Sequence, residues 1–149
     1  MSRRISDLEP DVLKLCTAHI EACRDAGITL LVYCTRRTEK DQALEYAKGR
    51  RFDQLPDAVA GLIKDEIQAW EDEGHVSGPG NVVTQRYGPD CPHVQGIAFD
   101  CVPEVNGKAV WGDGNLWQNI GELGETVGLE WGGRWTKFPD RPHFQRRRA

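Results

Sequence analysis

The sequence predicts an α+β fold in which a small antiparallel sheet is flanked by helices. Two observations carry that reading. Apolar residues recur at helical spacing through most of the first half, and short strand-like segments crowd the second. The resulting order, α-β-α-α-β-β-α-β-β, is that of an α+β domain. At 149 residues the chain has the length of one domain with its own core. Hydrophobic residues make up 39% and charged residues 28%, the latter in short runs, which excludes a disordered chain.

Each element has a local cause. Val12, Leu13, Leu15, Cys16, His19, Ile20 and Cys23 mark a helix from Pro10 to Ala26, with Ser6 or Asp7 as its cap and Gly27 as its stop. His19 falls on the apolar stripe and reads as a core histidine. Ile28–Cys34 is rich in β-branched and apolar residues and reads as a buried strand. A second helix runs from Thr38 to about Lys48, with Asp41 placed to complete a capping box and Gly49 ending it. Residues 51–56 read as a loop, and 57–73 as a helix carrying Val59, Leu62, Ile63, Ile67 and Trp70. Gly74–Gly80 is a turn segment holding a solvated His75. Beyond Val82 the pattern turns to short strands. Gly96–Val102 alternates as a strand, and Asn106-Gly107 centres a hairpin turn. Leu116–Val127 is a helix closed by Gly128, and 129–131 and 143–145 are further short strands.

Composition limits function. The five cysteines are odd in number and lack C-x-x-C spacing, so they read as buried thiols in a reducing compartment. A net charge of −4 argues against nucleic-acid binding. The longest apolar run, Ile28–Val32, is strand-sized, far short of the roughly 18–20 residues that span a bilayer. Met1-Ser-Arg-Arg leads into polar residues rather than an apolar signal region, so synthesis in the cytosol is expected. Arg146-Arg147-Arg148 is either a solvated tail or a hold for an acidic polymer.

The chemistry concentrates in Cys91-Pro-His-Val-Gln-Gly-Ile-Ala-Phe-Asp100. His93 precedes a strand on which Ala98 and Asp100 share one face, so the histidine and the carboxylate can converge on one cation. With His19 and His75 set aside, His143 remains as a third ligand, and Asp140 lies three residues before it across Pro142. Three protein ligands and a nearby carboxylate suit a catalytic zinc site, although H-x6-D and D-x2-H also arise by chance. Trp111, Trp117, Trp131 and Trp135 read as core or cleft wall.

These motifs resemble a known family in five ordered blocks. They are Tyr33-Cys-Thr-Arg-Arg-Thr38 with Gln42 and Leu44–Arg50, then Pro79-Gly-Asn-Val-Val-Thr84, His93-x-x-Gly96-x-Ala98-x-Asp100, Leu129-Glu-Trp-Gly-Gly-Arg-Trp135, and Asp140-x-Pro-His143-Phe144. Together they resemble the zinc peptidases of peptidoglycan, the D-Ala-D-Ala carboxypeptidases and L-alanyl-D-glutamate endopeptidases, most closely the phage-endolysin branch. The resemblance implies a hedgehog/D,D-peptidase-like fold with a single zinc site and one catalytic domain over residues 1–149. It implies Zn²⁺ held by His93, Asp100 and His143, with Asp140 as the catalytic carboxylate. Arg37 is then the substrate-facing arginine, Gln42 orients substrate or Arg37 or simply packs, and Trp135 lies near the metal. The implied partner is the peptidoglycan stem peptide, met by a monomer without membrane insertion after release from the cytosol. A D,D-carboxypeptidase and a non-catalytic wall-binding module on the same fold are the competing readings.

Three departures stand out. Cys91 replaces the usual serine, as a possible zinc-shell thiol or a stand-in for a hydroxyl. Arg36 replaces an aromatic and adds positive charge at the cleft mouth. Residues 51–77 form a helical insertion that either walls the cleft or packs outside it.

Overall fold

The computed structural model describes residues 1–149. In chain order the elements are α1 (Pro10–Asp25), β1 (Thr29–Cys34), α2 (Glu39–Ala47), α3 (Asp57–Ala60), α4 (Lys64–Asp72), α5 (Pro92–Gln95), β2 (Ala98–Val105), β3 (Lys108–Ala109), α6 (Gly114–Val127), β4 (Leu129–Trp131) and β5 (His143–Arg146). They form two compact units, Met1–Arg36 with Gly96–Ala149, and Arg37–Gln95. The expected α+β class with a small antiparallel sheet is what the chain adopts.

The first unit holds the whole sheet, in the order β1-β2-β5-β4 with β3 hairpinned onto β2, every pair antiparallel. Asn106 and Gly107 both take positive φ, 52° and 78°, as a two-residue hairpin turn of this hand requires. Side chains alternate along β5. Phe144 is fully buried in a core with Val12, Cys16 and Cys23 of α1, Ile120 of α6, and Phe99, Cys101 and Leu129 of the strands. His143 and Gln145 therefore point to the opposite face. Nothing in the helices is long and apolar enough to cross a membrane.

The second unit has its own core, in which Leu55, Val59 and Ile63 pack on Ala43 and Ala47 of α2. Residues 51–77 leave and return at neighbouring points. Gly49 N–H donates to Gly78 O at 3.0 Å, and Phe52 N–H to Val76 O at 3.0 Å. Gly78 has no room for a side chain, because a Cβ there would strike the Ala47 carbonyl.

Several local expectations are corrected. Neither Ser6 nor Asp7 caps α1; Glu9 is the N-cap, with no side-chain bond. Pro10 opens the helix and has no N–H to satisfy, so the cap has less to do. The helix expected over 57–73 breaks between Ala60 and Lys64, where Gly61 weakens it and the fully buried Ile63 leaves helical geometry. Residues 81–91 are irregular backbone with a turn at 89–90 rather than strands, and His93 lies on the short helix α5 rather than in a loop. Trp111 is more than half exposed, unlike the buried Trp117 and Trp131. The terminal arginines are neither loose nor available as a group. Arg146 pairs with Asp11 at 2.6 Å, Arg148 pairs with Glu130 at 2.7 Å, and Arg147 donates to the Glu125 carbonyl at 2.8 Å.

Candidate metal centre

In the first unit the β2–β5 ladder sets Asp100 directly opposite His143. His143 Nδ1 lies 3.3 Å from Asp100 Oδ1, and its Nε2 lies 2.8 Å from Gln145 Oε1. All three residues are buried. Asp140 reaches the same place through a backbone clasp. Its N–H donates to Gly132 O at 2.9 Å, and its own carbonyl accepts from His143 N–H at 3.2 Å. The clasp explains Gly132, where a Cβ would fall 2.5 Å from the Asp140 carbonyl oxygen and 3.2 Å from His143 Cβ. Trp131, buried by the bare surfaces of Gly121 and Gly133, donates its indole N–H to Arg141 O at 2.9 Å and steadies the loop. One ligand atom from each of Asp100, Asp140 and His143 falls within 4.8 Å of the others. Two carboxylate oxygens and one imidazole nitrogen so disposed suit Zn²⁺, which accepts both N and O donors.

The electrostatics agree with a cation site. Burial works against a charged His143, but the hydrogen bond and charge of Asp100, the charge of Asp140 and the contact with Gln145 outweigh it and raise its pKa. Burial first, then Asp100 and Asp140, push the Tyr33 phenol far above its usual range. Trp135 stands beside the cluster, its ring 5.1 Å from that of His143, with its indole N–H donating to Glu130 Oε2 at 3.0 Å.

The second unit carries the other expected residues. Arg37 Nη1 donates to Gln42 Oε1 at 3.1 Å, and Gln42 Nε2 donates to the Arg86 carbonyl at 2.9 Å. Arg37 N–H donates to the His93 carbonyl at 3.0 Å, tying the arginine segment to α5. Gln42 therefore holds Arg37 and is itself anchored. Cys91 is buried, and that burial raises its thiol pKa against the opposing pull of Arg86 and Arg37.

The structure thus joins Asp100, Asp140, His143 and Trp135 in one unit, and Arg37, Gln42 and His93 in the other. Arg36 does not leave a bare charge at a cleft mouth. It pairs with Glu9 at 2.9 Å and lies against Gly96, where a Cβ would strike its guanidinium. Sequence reasoning missed Gln145, whose only signal was its two-residue offset from His143. It also passed over Cys34, which faces Asp100 in the β1–β2 ladder with its sulfur within 4.8 Å of a carboxylate oxygen.

The chain is similar to known proteins in sequence and in fold. Residues 85–146 match the family described as D-alanyl-D-alanine carboxypeptidase. The peptidoglycan L-alanyl-D-glutamate endopeptidase CwlK of Bacillus subtilis (strain 168) is 28% identical over 149 residues, covering 94% of this chain and 74% of that protein. In fold, the chain is similar to the Serratia marcescens L-Ala D-Glu endopeptidase ChiX, with a TM-score of 0.57, 19% identity, and coverage of 96% of this chain and 83% of that one. It is also similar to the vancomycin-resistance D,D-pentapeptidase VanY of the VanB-type cassette, solved with Zn(II), with a TM-score of 0.51, 12% identity, and coverage of 93% and 72%.

Proposed function

Taking the chain as a relative of the D-alanyl-D-alanine carboxypeptidase and L-alanyl-D-glutamate endopeptidase family, we propose that it is a zinc-dependent peptidoglycan peptidase. Its substrate bond is L-alanyl–D-glutamate in the stem peptide, and its role is that of a phage or prophage endolysin acting after release from the cytosol. The observation that carries the reading is the convergence of buried Asp100 and His143 with half-buried Asp140. The similarity to CwlK, which extends over nearly the whole chain, supports the choice of bond. Residues 1–149 then form one catalytic domain, with 51–77 as an insertion whose paired ends let it sit on α2.

His93, Asp100 and His143 hold the metal in this reading, with His93 assigned by resemblance. Bound Zn²⁺ supplies a Lewis acid for the scissile carbonyl and lowers the pKa of water toward about 7. Asp140 takes a proton from the attacking water and returns one to the departing amine, so the peptide C–N bond breaks as the leaving group is neutralised. Arg37, held by Gln42, donates to the carbonyl oxygen as negative charge develops there. Trp135 stands beside His143 at the edge of the cluster.

A second reading, a D-alanyl-D-alanine carboxypeptidase, draws on the family that residues 85–146 match. Digestion of purified peptidoglycan with metal-loaded protein, followed by mass spectrometry, separates the two. New amino-terminal D-Glu is expected, whereas release of free D-alanine makes the second reading correct. Stoichiometric zinc with no cleavage of any wall preparation makes the chain a binding module.

A further inference from the structure

Gln145 is buried, with 3% of its surface exposed, on a strand paired on both sides. Its backbone stands opposite Ala98 of β2 and Glu130 of β4, so its Cα position is held by the middle of the sheet. It shares a face with His143, and its Oε1 lies 2.8 Å from His143 Nε2. An amide oxygen only accepts, so the nitrogen facing it must carry the proton. The other nitrogen, Nδ1, faces Asp100 Oδ1 at 3.3 Å, also an acceptor, so a cation bound among the carboxylates would take the place of a proton on that side.

We infer that Gln145 is a positioning residue that fixes His143 as the Nε2–H tautomer and presents the Nδ1 lone pair to the metal. The inference rests on the metal-site reading above. A histidine ligand needs one bare nitrogen aimed at the cation, and the hydrogen bond made by the other nitrogen selects which one. The side chain's neutrality has its own consequence. Asp100 and Asp140 already bring two negative charges to the cluster, and an amide oxygen orients the ring without adding a third. Gln145 contributes no ligand atom and touches no substrate in this scheme; it acts through His143.

The test combines tautomer and metal affinity. Nitrogen-15 NMR of the histidine rings, on zinc-loaded protein, is expected to show His143 bound through Nδ1 with its proton on Nε2 in the wild type. In Gln145→Leu the ring should lose that single form. Zinc titration by calorimetry is expected to show affinity about 10- to 100-fold weaker for Gln145→Leu. Gln145→Glu retains an acceptor at the same place and should restore both the tautomer and most of the affinity, which a loss of packing alone would not do. Zinc bound through Nε2 in the wild type, or a leucine variant with unchanged zinc affinity, overturns the inference. A wild type that binds no zinc overturns the zinc reading, whereas a wild type and a leucine variant that bind zinc equally overturn only the role of Gln145.

Discussion

Two buried histidines lie near strand β5 and titrate in opposite directions. His19, from α1, packs against Phe144 with ring centres 4.4 Å apart and places its Nε2 2.9 Å from the Ile120 carbonyl. Its Nδ1 has no hydrogen-bond partner, and burial pushes its pKa down to about 4. His143, on the other face, is nearly as buried, yet its pKa is raised because Asp100 and Asp140 stand beside it. Burial alone disfavours the imidazolium; two carboxylates reverse the outcome. One strand thus separates packing from chemistry by the alternation of its side chains.

Removing the chemical side should have the largest effect. Asp140→Asn is expected to keep zinc, measured by elemental analysis, while muropeptide release slows by roughly 10²- to 10⁴-fold. His143→Ala should lose both. Full activity in the asparagine variant would remove Asp140 from its role as base. On the packing side, Phe144→Ala should cost about 3–5 kcal/mol in urea denaturation. A loss under about 1 kcal/mol there would mean that the core is not organised around β5.

The two histidines can be told apart by pH. For His19 the folded pKa lies below the ordinary 6.5. The unfolded chain therefore binds the proton more readily, and stability present above pH 6.5 is lost as pH falls toward 4. About 3 kcal/mol is at stake, and His19→Leu should flatten that part of the profile relative to wild type. For His143 in the metal-free protein the sign is opposite. Its contribution is full below the ordinary imidazole pKa and disappears as pH rises through the higher folded value. The smallest effect belongs to the terminal arginines: Arg146→Ala and Arg148→Ala break exposed or partly exposed pairs and should each cost no more than about 1 kcal/mol in thermal denaturation.

The helices and strands were readable wherever a local rule acted without competition. Thr38 and Asp41 form the expected capping box, Gly128 ends α6 at φ 114°, and Asn106-Gly107 turns the hairpin. Reading failed where a distant contact decided the outcome. Ile63 breaks a helix in order to be buried against α2, and the three terminal arginines find acceptors on α1, α6 and β4. Within the site, Asp100, Asp140 and His143 were identifiable because motifs name them, whereas Gln145 and Cys34 were not, because no short spacing reports what a residue faces across a ladder.

The sequence by itself determined the local periods, the caps and turns, and the residue types able to hold a cation, since these depend on neighbours within a few positions. Only the tertiary structure decided that Asp100 and His143 meet, that Gly132 admits the Asp140 loop, and that His19 and His143 differ in charge preference. Those outcomes depend on strand register, close packing and the electric field of residues far away in the chain, none of which is a local property.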